Sequence, residues 1–252
     1  MQKFINNLIR EAGAEAMKFF GTAKIAYSKE SKNDIVTHGD LAVNKLIIDA
    51  IRAAYPDHGI VSEEMPAHNS EAEYVWYIDP IDGTRNFASR VPLFGVMIGL
   101  AHNSEMQHAA IYLPTTDELC VAEKNKGAYL NDNRIYCTEE KDWEVSYGVG
   151  PAQLCKPKSL AFVEKLAKIS NGKAWASGLG SCAVSAVYVA DGRRDWYRSS
   201  GGKVWDYAIP SLILREAGCV VTNFQGEDWK IGHENMIASN KYLHAALATM
   251  VA

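Results

Sequence analysis

The sequence predicts a layered α/β protein with antiparallel pairing in its middle, and three observations point to it. An amphipathic helical pattern opens the chain, a series of short β-prone runs separated by turn residues follows Pro92, and helix-like and strand-like runs then alternate to the end. With 252 residues the chain can bury roughly 70 to 75% of the surface it exposes when unfolded, so a substantial core is expected, in one large domain or two small ones.

In the first segment Phe4, Ile5, Leu8, Ile9, Ala12, Ala16, Phe19 and Phe20 recur at intervals of three and four, which gives a helix one apolar stripe. Gly21 is placed to stop it. The polar, lysine-rich stretch from Ala23 to Asn33 reads as a loop carrying Lys24, Lys29 and Lys32. A second helix follows "NDIVTHGD": Leu41, Ile47, Ile48 and Ile51 supply its periodicity, Thr37 is a candidate cap with Asp40 three residues on, and Pro56 marks its end. "GIVSEE" and "YVWYIDPID" read as strands that end in carboxylates.

Beyond Pro92, "LFGVMIGLAH", "MQHAAIYLP", "ELCVAE" and "GAYLN" form a meander punctuated by Asn103, Pro114, Asp117 and Asn125. "EVSYGVG" is a further strand. Helix then alternates with strand: Leu160 to Ser170, "KAWASG", "SCAVSAVYVADG", "RDWY", Trp205 to Ala217, "CVVT", "MIASN" and a closing helix through Ala248. Pro210 leaves one of those helix boundaries open, because proline removes a backbone donor unless it lies in the first turn. The Gly/Pro-rich "GVGPAQLCKPKS" is the candidate boundary, dividing an N-terminal half (1–150) with the antiparallel sheet from a C-terminal α/β half (151–252).

The balance of 26 basic against 30 acidic side chains gives a formal charge of -4, which favours neither nucleic acid polymers nor an anionic membrane. Five widely spaced cysteines without a CxxC pair fit a reducing compartment. The first twenty residues hold no unbroken apolar run, so neither a signal peptide nor a membrane span is read there, and the expected location is cytoplasmic. His38, His58, His102 and His108 have no zinc-ligand spacing, and "GLG" at 178–180 lacks the third glycine of a dinucleotide fingerprint.

Acidic residues recur where apolar segments end: Glu63, Asp79, Asp82 and Asp206, with Asp40 near a helix start. Carboxylates packed together repel and lose hydration, so a cluster requires a counter-charge. Lysine is missing from these runs, which leaves a hard divalent cation such as Mg²⁺. Gly83 permits a tight backbone and Thr84 offers a hydroxyl beside the following amides, a nest for phosphate if a helix begins there. "DPIDG" alone is equally an ordinary turn. Metal beside phosphate-binding amides is what a phosphate-ester hydrolase needs.

Together "DIVTHGD", "GIVSEE", "WYIDPIDGTRNF" and "VWDYAIPSLILREAG" resemble, in order and over most of the chain, the inositol monophosphatase family of Mg²⁺-dependent, lithium-sensitive phosphomonoesterases. The resemblance implies a five-layered αβαβα fold of the sugar-phosphatase type and a homodimer. It places Glu63, Asp79 and the Ile81 carbonyl on one Mg²⁺, and Asp79, Asp82 and Asp206 on a second. It pairs Thr84 with Asp40 to deprotonate the attacking water, with Glu63 facing a third metal site, and gives phosphate to the amides of Gly83 and Thr84. Gly180, Ser181 and Cys182 would approach the substrate's hydroxyls, and Lys29 and Asp34 match positions in the family's flexible loop and pre-helix segment.

The chain departs from that pattern at Ser199, where the family usually has a glutamate that grips ring hydroxyls; losing a charge-assisted acceptor weakens recognition of inositol. Arg193, Arg194, Arg198 and Lys203 crowd the same stretch, as a second anion site or a solvated face. The expected activity is therefore Mg²⁺-dependent hydrolysis of a small phosphorylated metabolite, inositol-1-phosphate first. A fructose-1,6-bisphosphatase or a 3'(2'),5'-bisphosphate nucleotidase is the alternative, and a non-catalytic phosphate-ligand binding protein is the rival class.

Overall fold

The computed structural model describes residues 1–29, 35–150 and 156–251. The chain opens with α1 (Gln2–Phe19), β1 (Ile25–Ser28), β2 (Ile35–Thr37) and α2 (His38–Ala54). Next come β3 (Gly59–Ser62), β4 (Met65–His68), β5 (Tyr74–Asp82), the short α3 (Thr84–Ala88) and the meander β6 (Gly95–His102), β7 (Glu105–Leu113), β8 (Glu118–Glu123), β9 (Gly127–Leu130) and β10 (Asn133–Arg134). The remainder is β11 (Tyr147–Val149), α4 (Pro157–Ile169), β12 (Trp175–Ser177), α5 (Cys182–Ala190), β13 (Trp196–Ser200), α6 (Trp205–Glu216), β14 (Val220–Thr222), β15 (Asn235–Ser239) and α7 (His244–Val251).

Side-chain alternation along the strands fixes the layers. In β5, Val75 and Tyr77 enter one core and Trp76 and Ile78 another, so this strand is buried on both faces and reads as a continuous apolar run. The Trp76 face packs on Ile5, Leu8 and Ile9 of α1 and Val43, Ile47 and Ile51 of α2. On the opposite face Tyr77, Met97 and Ile111 meet Val184 and Val187 of α5 and Ile209 and Ile213 of α6, which also cover Tyr197, Met236 and Ala238 of the second sheet. The far side of that second sheet, Trp196 and Ile237, packs on Phe162 and Leu166 of α4 and Leu247 and Met250 of α7. The order is helix, sheet, helix, sheet, helix: the five-layered αβαβα sandwich.

The first large sheet has the order β10-β9-β8-β7-β6-β5-β3-β4 and is antiparallel except where β3 runs parallel to β5. The second, β12-β11-β13-β15-β14, begins with parallel pairs and ends with antiparallel ones. Among the elements that escaped the sequence reading are β1 and β4. Residues 25–28, read as loop, pair antiparallel with β2; Ile25 and Tyr27 stay exposed, so backbone pairing rather than burial makes them a strand. β4 holds Pro66 and lies at the sheet edge, where a missing amide donor is tolerated. Pro210 lies inside α6, whose buried residues run unbroken from Tyr207 to Leu214; packing on both sheets offsets the lost hydrogen bond.

Two glycines set the thickness of the middle layer. Gly95 and Gly99 share with Met97 and Ala101 the β6 face turned toward α5 and α6. A Cβ on Gly95 would lie 2.8 Å from the Ala183 Cβ, and one on Gly99 would lie 2.8 Å from Ile209 Cγ1. Gly95→Val should therefore cost on the order of 1–3 kcal/mol by overpacking, as urea denaturation would measure. Gly150→Ala, whose nearest neighbour would be 3.7 Å away, should change stability by well under that.

Candidate active site

Parallel pairing of β3 and β5 sends both acid-bearing strand ends to the same sheet edge. Ser62 stands opposite Ile78, and the Glu63 amide donates to the Ile78 carbonyl at 3.3 Å, so Glu63 and Asp79 leave the sheet side by side. The three-residue spacing from Asp79 to Asp82 has a structural cause. Asp79 pairs with Met97 but Asp82 pairs with Gly95, so β5 carries one extra residue, a bulge at Pro80-Ile81. Met97 and Gly95 face the middle layer, and the bulge turns both aspartates to that side, where α5 and α6 begin.

Asp82 is buried, and its carboxylate accepts the Ser181 hydroxyl and the amides of Cys182 (3.0 Å) and Ala183 (2.8 Å), sealing the positive end of α5. Gly83, with φ 88, turns the chain tightly into α3; a Cβ there would meet the Leu93 carbonyl at 3.0 Å and the Ser181 Cβ at 3.1 Å. The Thr84 hydroxyl lies 3.0 Å from the Ile81 carbonyl and 3.2 Å from Asp40 Oδ1. Asp40 Oδ2 in turn accepts the Thr37 amide (2.9 Å) and hydroxyl (2.5 Å), completing the capping box of α2. Asp206, in the first turn of α6, accepts the Lys203 amide at 2.6 Å. Ligand atoms of Asp82, Cys182 and Asp206 all lie within 4.8 Å of one another.

Electrostatics shows how crowded this corner is. Burial, then the charges of Glu63, Asp82 and Asp206, push the Asp79 carboxyl far above the usual carboxylate range. Asp206 rises to about 8 for the same reasons, burial first and then Asp82. Burial raises Asp82 to about 6 against the opposing hydrogen bonds of Ser181, Ala183 and Cys182, and raises Asp40 to about 6 against those of Thr37. Lys29 reaches in from the segment after β1 to bond Glu63 (2.8 Å) and Glu64 (2.7 Å); burial opposes its charge, but these two partners hold it above the ordinary lysine value. Asp79 Oδ1 is buried with no hydrogen-bond partner among the described residues. An orphaned oxygen among hard oxygen donors fits a divalent cation, which Glu63, Asp79, the Ile81 carbonyl, Asp82 and Asp206 would hold.

The structure thus brings together Asp40, Glu63, Asp79, Ile81, Asp82, Gly83, Thr84, Ser181, Cys182 and Asp206. Gly180, with φ 69, turns the chain into this corner, and the Ser181 hydroxyl both donates to Asp82 and accepts the Val184 amide. Ser199 lies on the β13 face shared with Tyr197. Asp34 lies outside the described residues. The arginines do not form one anion site. Arg193 is paired with Glu118 (3.0 Å) and Asp191 (2.6 Å), and Arg194 lies over the Tyr147 ring at 3.7 Å. Arg198, one residue from Tyr197 and Ser199, points to the opposite face of β13 and is buried between Phe162 and Phe224. Sequence reading missed Asn86, whose amide donates to the carbonyls of Leu93 (2.7 Å) and Leu179 (2.8 Å) and ties α3 to the α5 entrance; no local pattern announces a partner 93 residues away.

The fold and site define a class: five-layered α/β proteins with a buried acidic cluster where strand ends meet helix N-termini. The chain belongs to the inositol monophosphatase family, whose model matches residues 1–252. A Salmonella typhimurium relative named Nus factor SuhB is 34% identical over 96% of this chain and 92% of its own. The Thermotoga maritima fructose-1,6-bisphosphatase/inositol-1-monophosphatase is 32% identical over 98% and 94%. The solved Thermotoga maritima IMPase superposes with a TM-score of 0.91 at 31% identity, covering 99% of this chain and 95% of that one. No helix among the described residues is long and apolar enough to cross a membrane.

The raised carboxyls carry a signed consequence. A folded-state pKa above the unfolded value of 3.8 means that the native state binds more protons, so stability falls as pH rises. In chelator, the thermal midpoint should therefore drop between about pH 4 and pH 8, from the unfolded carboxyl value up to the folded value of Asp206. Saturating divalent cation should flatten the slope by replacing protons as counter-charge. Differential scanning fluorimetry across pH, with and without the ion, measures both.

Proposed function

We propose that the protein is a Mg²⁺-dependent phosphoric monoester hydrolase acting on a small phosphorylated metabolite, with inositol-1-phosphate as the first candidate. The observation that carries the reading is the buried, partnerless oxygen of Asp79 amid Glu63, Asp82 and Asp206, which like-charge repulsion would open without a cation. When bound, Mg²⁺ supplies Lewis acidity toward water and phosphoryl oxygens. The remaining work falls to the chain. The Thr84 hydroxyl, held between Asp40 and the Ile81 carbonyl, orients the attacking water, and Asp40, with its carboxyl near 6, takes the proton at neutral pH. Backbone amides of Gly83 and Thr84 hold the phosphate, and Gly180, Ser181 and Cys182 border the alcohol portion of the ester.

A second substrate has its own support. Ser199 offers a neutral hydroxyl where the family pattern would place a carboxylate against inositol, and the Thermotoga relative is named fructose-1,6-bisphosphatase/inositol-1-monophosphatase. A cytoplasmic homodimer inhibited by lithium completes the proposal.

Initial rates with Mg²⁺ on inositol-1-phosphate, fructose-1,6-bisphosphate, histidinol phosphate and 3'-phosphoadenosine-5'-phosphate, repeated with lithium, test this reading. No turnover of any ester, together with no Mg²⁺-dependent thermal shift, would leave the non-catalytic alternative. Thr84→Val should lower kcat by at least about 10²-fold. Its cost in folding free energy should stay near 1 kcal/mol, the worth of one hydrogen bond.

A further inference from the structure

Far from the carboxylates, the connector after β10 returns to the end of α6. The Cys137 amide donates to the Ala217 carbonyl at 2.9 Å. Gly218, with φ 93, then turns the chain out of the helix, and the Cys219 amide closes that turn on the Leu214 carbonyl at 2.9 Å. Residue 218 has no side chain, and the space is used: the Cys137 sulfur lies 3.8 Å from where a Cβ on Gly218 would stand. The Cys137 sulfur thus packs against the turn that carries Cys219. Cys219 is buried in the middle-layer core, while Cys137 is half-buried at its margin. A half-buried cysteine is thus backed by a buried one.

We propose that Cys137 and Cys219 form a reversible dithiol–disulfide pair, in which Cys137 reacts first with a hydroperoxide and Cys219 resolves the product. The Cys137 thiolate attacks one peroxide oxygen, and the O–O bond breaks to give a sulfenic acid and hydroxide, which takes a proton from solvent. The Cys219 sulfur then attacks the sulfenic sulfur. The S–S bond forms as the Cys219 proton and the sulfenic hydroxyl leave together as water, and two thiols have been oxidised for one peroxide reduced. The environment favours this order: Cys219 holds the Cys137 thiol below its ordinary value, while Cys137 and burial hold the Cys219 thiol above its own. Such pairs in reducing compartments are transient and sensing rather than structural.

The bridge would close a loop of roughly eighty residues, spanning β11 through α6, and so restrain the unfolded chain. Asp206 lies at the other end of α6, so the bridge should not disturb the carboxylate cluster. The inference is independent of the proposed activity.

The test uses the full chain, reduced and then exposed to hydrogen peroxide, alkylated, and digested without reductant for mass mapping. A Cys137–Cys219 linked peptide is expected, with a thermal midpoint that rises and returns on addition of dithiothreitol. Cys219→Ser should abolish the link and leave a dimedone-reactive sulfenic acid at Cys137, while Cys137→Ser should leave Cys219 unreactive. Both thiols remaining alkylatable in oxidised wild-type protein would overturn the proposal, as would a link from either to another cysteine or a linked peptide found only after unfolding. The wild-type mapping decides the matter even if a serine variant fails to fold.

Discussion

Mutual repulsion among buried carboxylates is the constraint around which this molecule is arranged. Asp79 and Asp82 are nearly inaccessible, and Asp206 and Glu63 stand against them, so each raises the cost of ionising the others. The fold answers with whatever positive character it can bring to one point. The N-terminus of α5 receives Asp82, the amide of Lys203 receives Asp206, and the Lys29 ammonium spans Glu63 and Glu64. Asp79 Oδ1 receives nothing among the described residues, a residual deficit of the kind a divalent cation would fill.

Bringing those helix ends to the strand ends requires a thin middle layer. α5 and α6 serve both sheets at once, and their distance from the first sheet is set by the bare backbone at Gly95 and Gly99. A larger side chain at either position would lift the helices away, and with them the amides that hold Asp82. Packing and chemistry therefore share one mechanical origin: α5 lies close because β6 has no Cβ there, and Asp82 can be buried because α5 lies close. At the turn before α6 the same economy appears, for a Cβ on Gly202 would run into the Asp206 carboxylate.

How much of this was legible depends on whether the signal is local. The helix stripe of α1, the Thr37–Asp40 capping box, the apolar run of β5 and the acids at strand ends are short-range patterns, and each stands where the sequence placed it. The bulge at Pro80-Ile81 was visible only as an odd spacing; its meaning needed the register against β6. β1 carries no burial pattern to announce it, because Ile25 and Tyr27 remain exposed. Asn86 was invisible because its partners are remote in sequence. The arginines misled for a simpler reason: neighbours along a strand point to opposite faces, so Arg198 and Ser199, adjacent in the chain, occupy different layers.

That alternation also bears on how specificity can change in this fold without disturbing its chemistry. The acidic cluster hangs on the first sheet and the N-termini of α5 and α6, whereas Ser199 belongs to β13 in the second sheet. Nearby, the Tyr207 hydroxyl accepts the Gly202 amide at 2.7 Å, a neutral hydrogen bond that braces the turn before α6. A hydroxyl at residue 199 adds no negative charge to a molecule whose acidic cluster already repels itself. The acidic cluster and the Ser199 wall thus belong to separate sheets, and only the shared layer of α5 and α6 obliges them to remain in register.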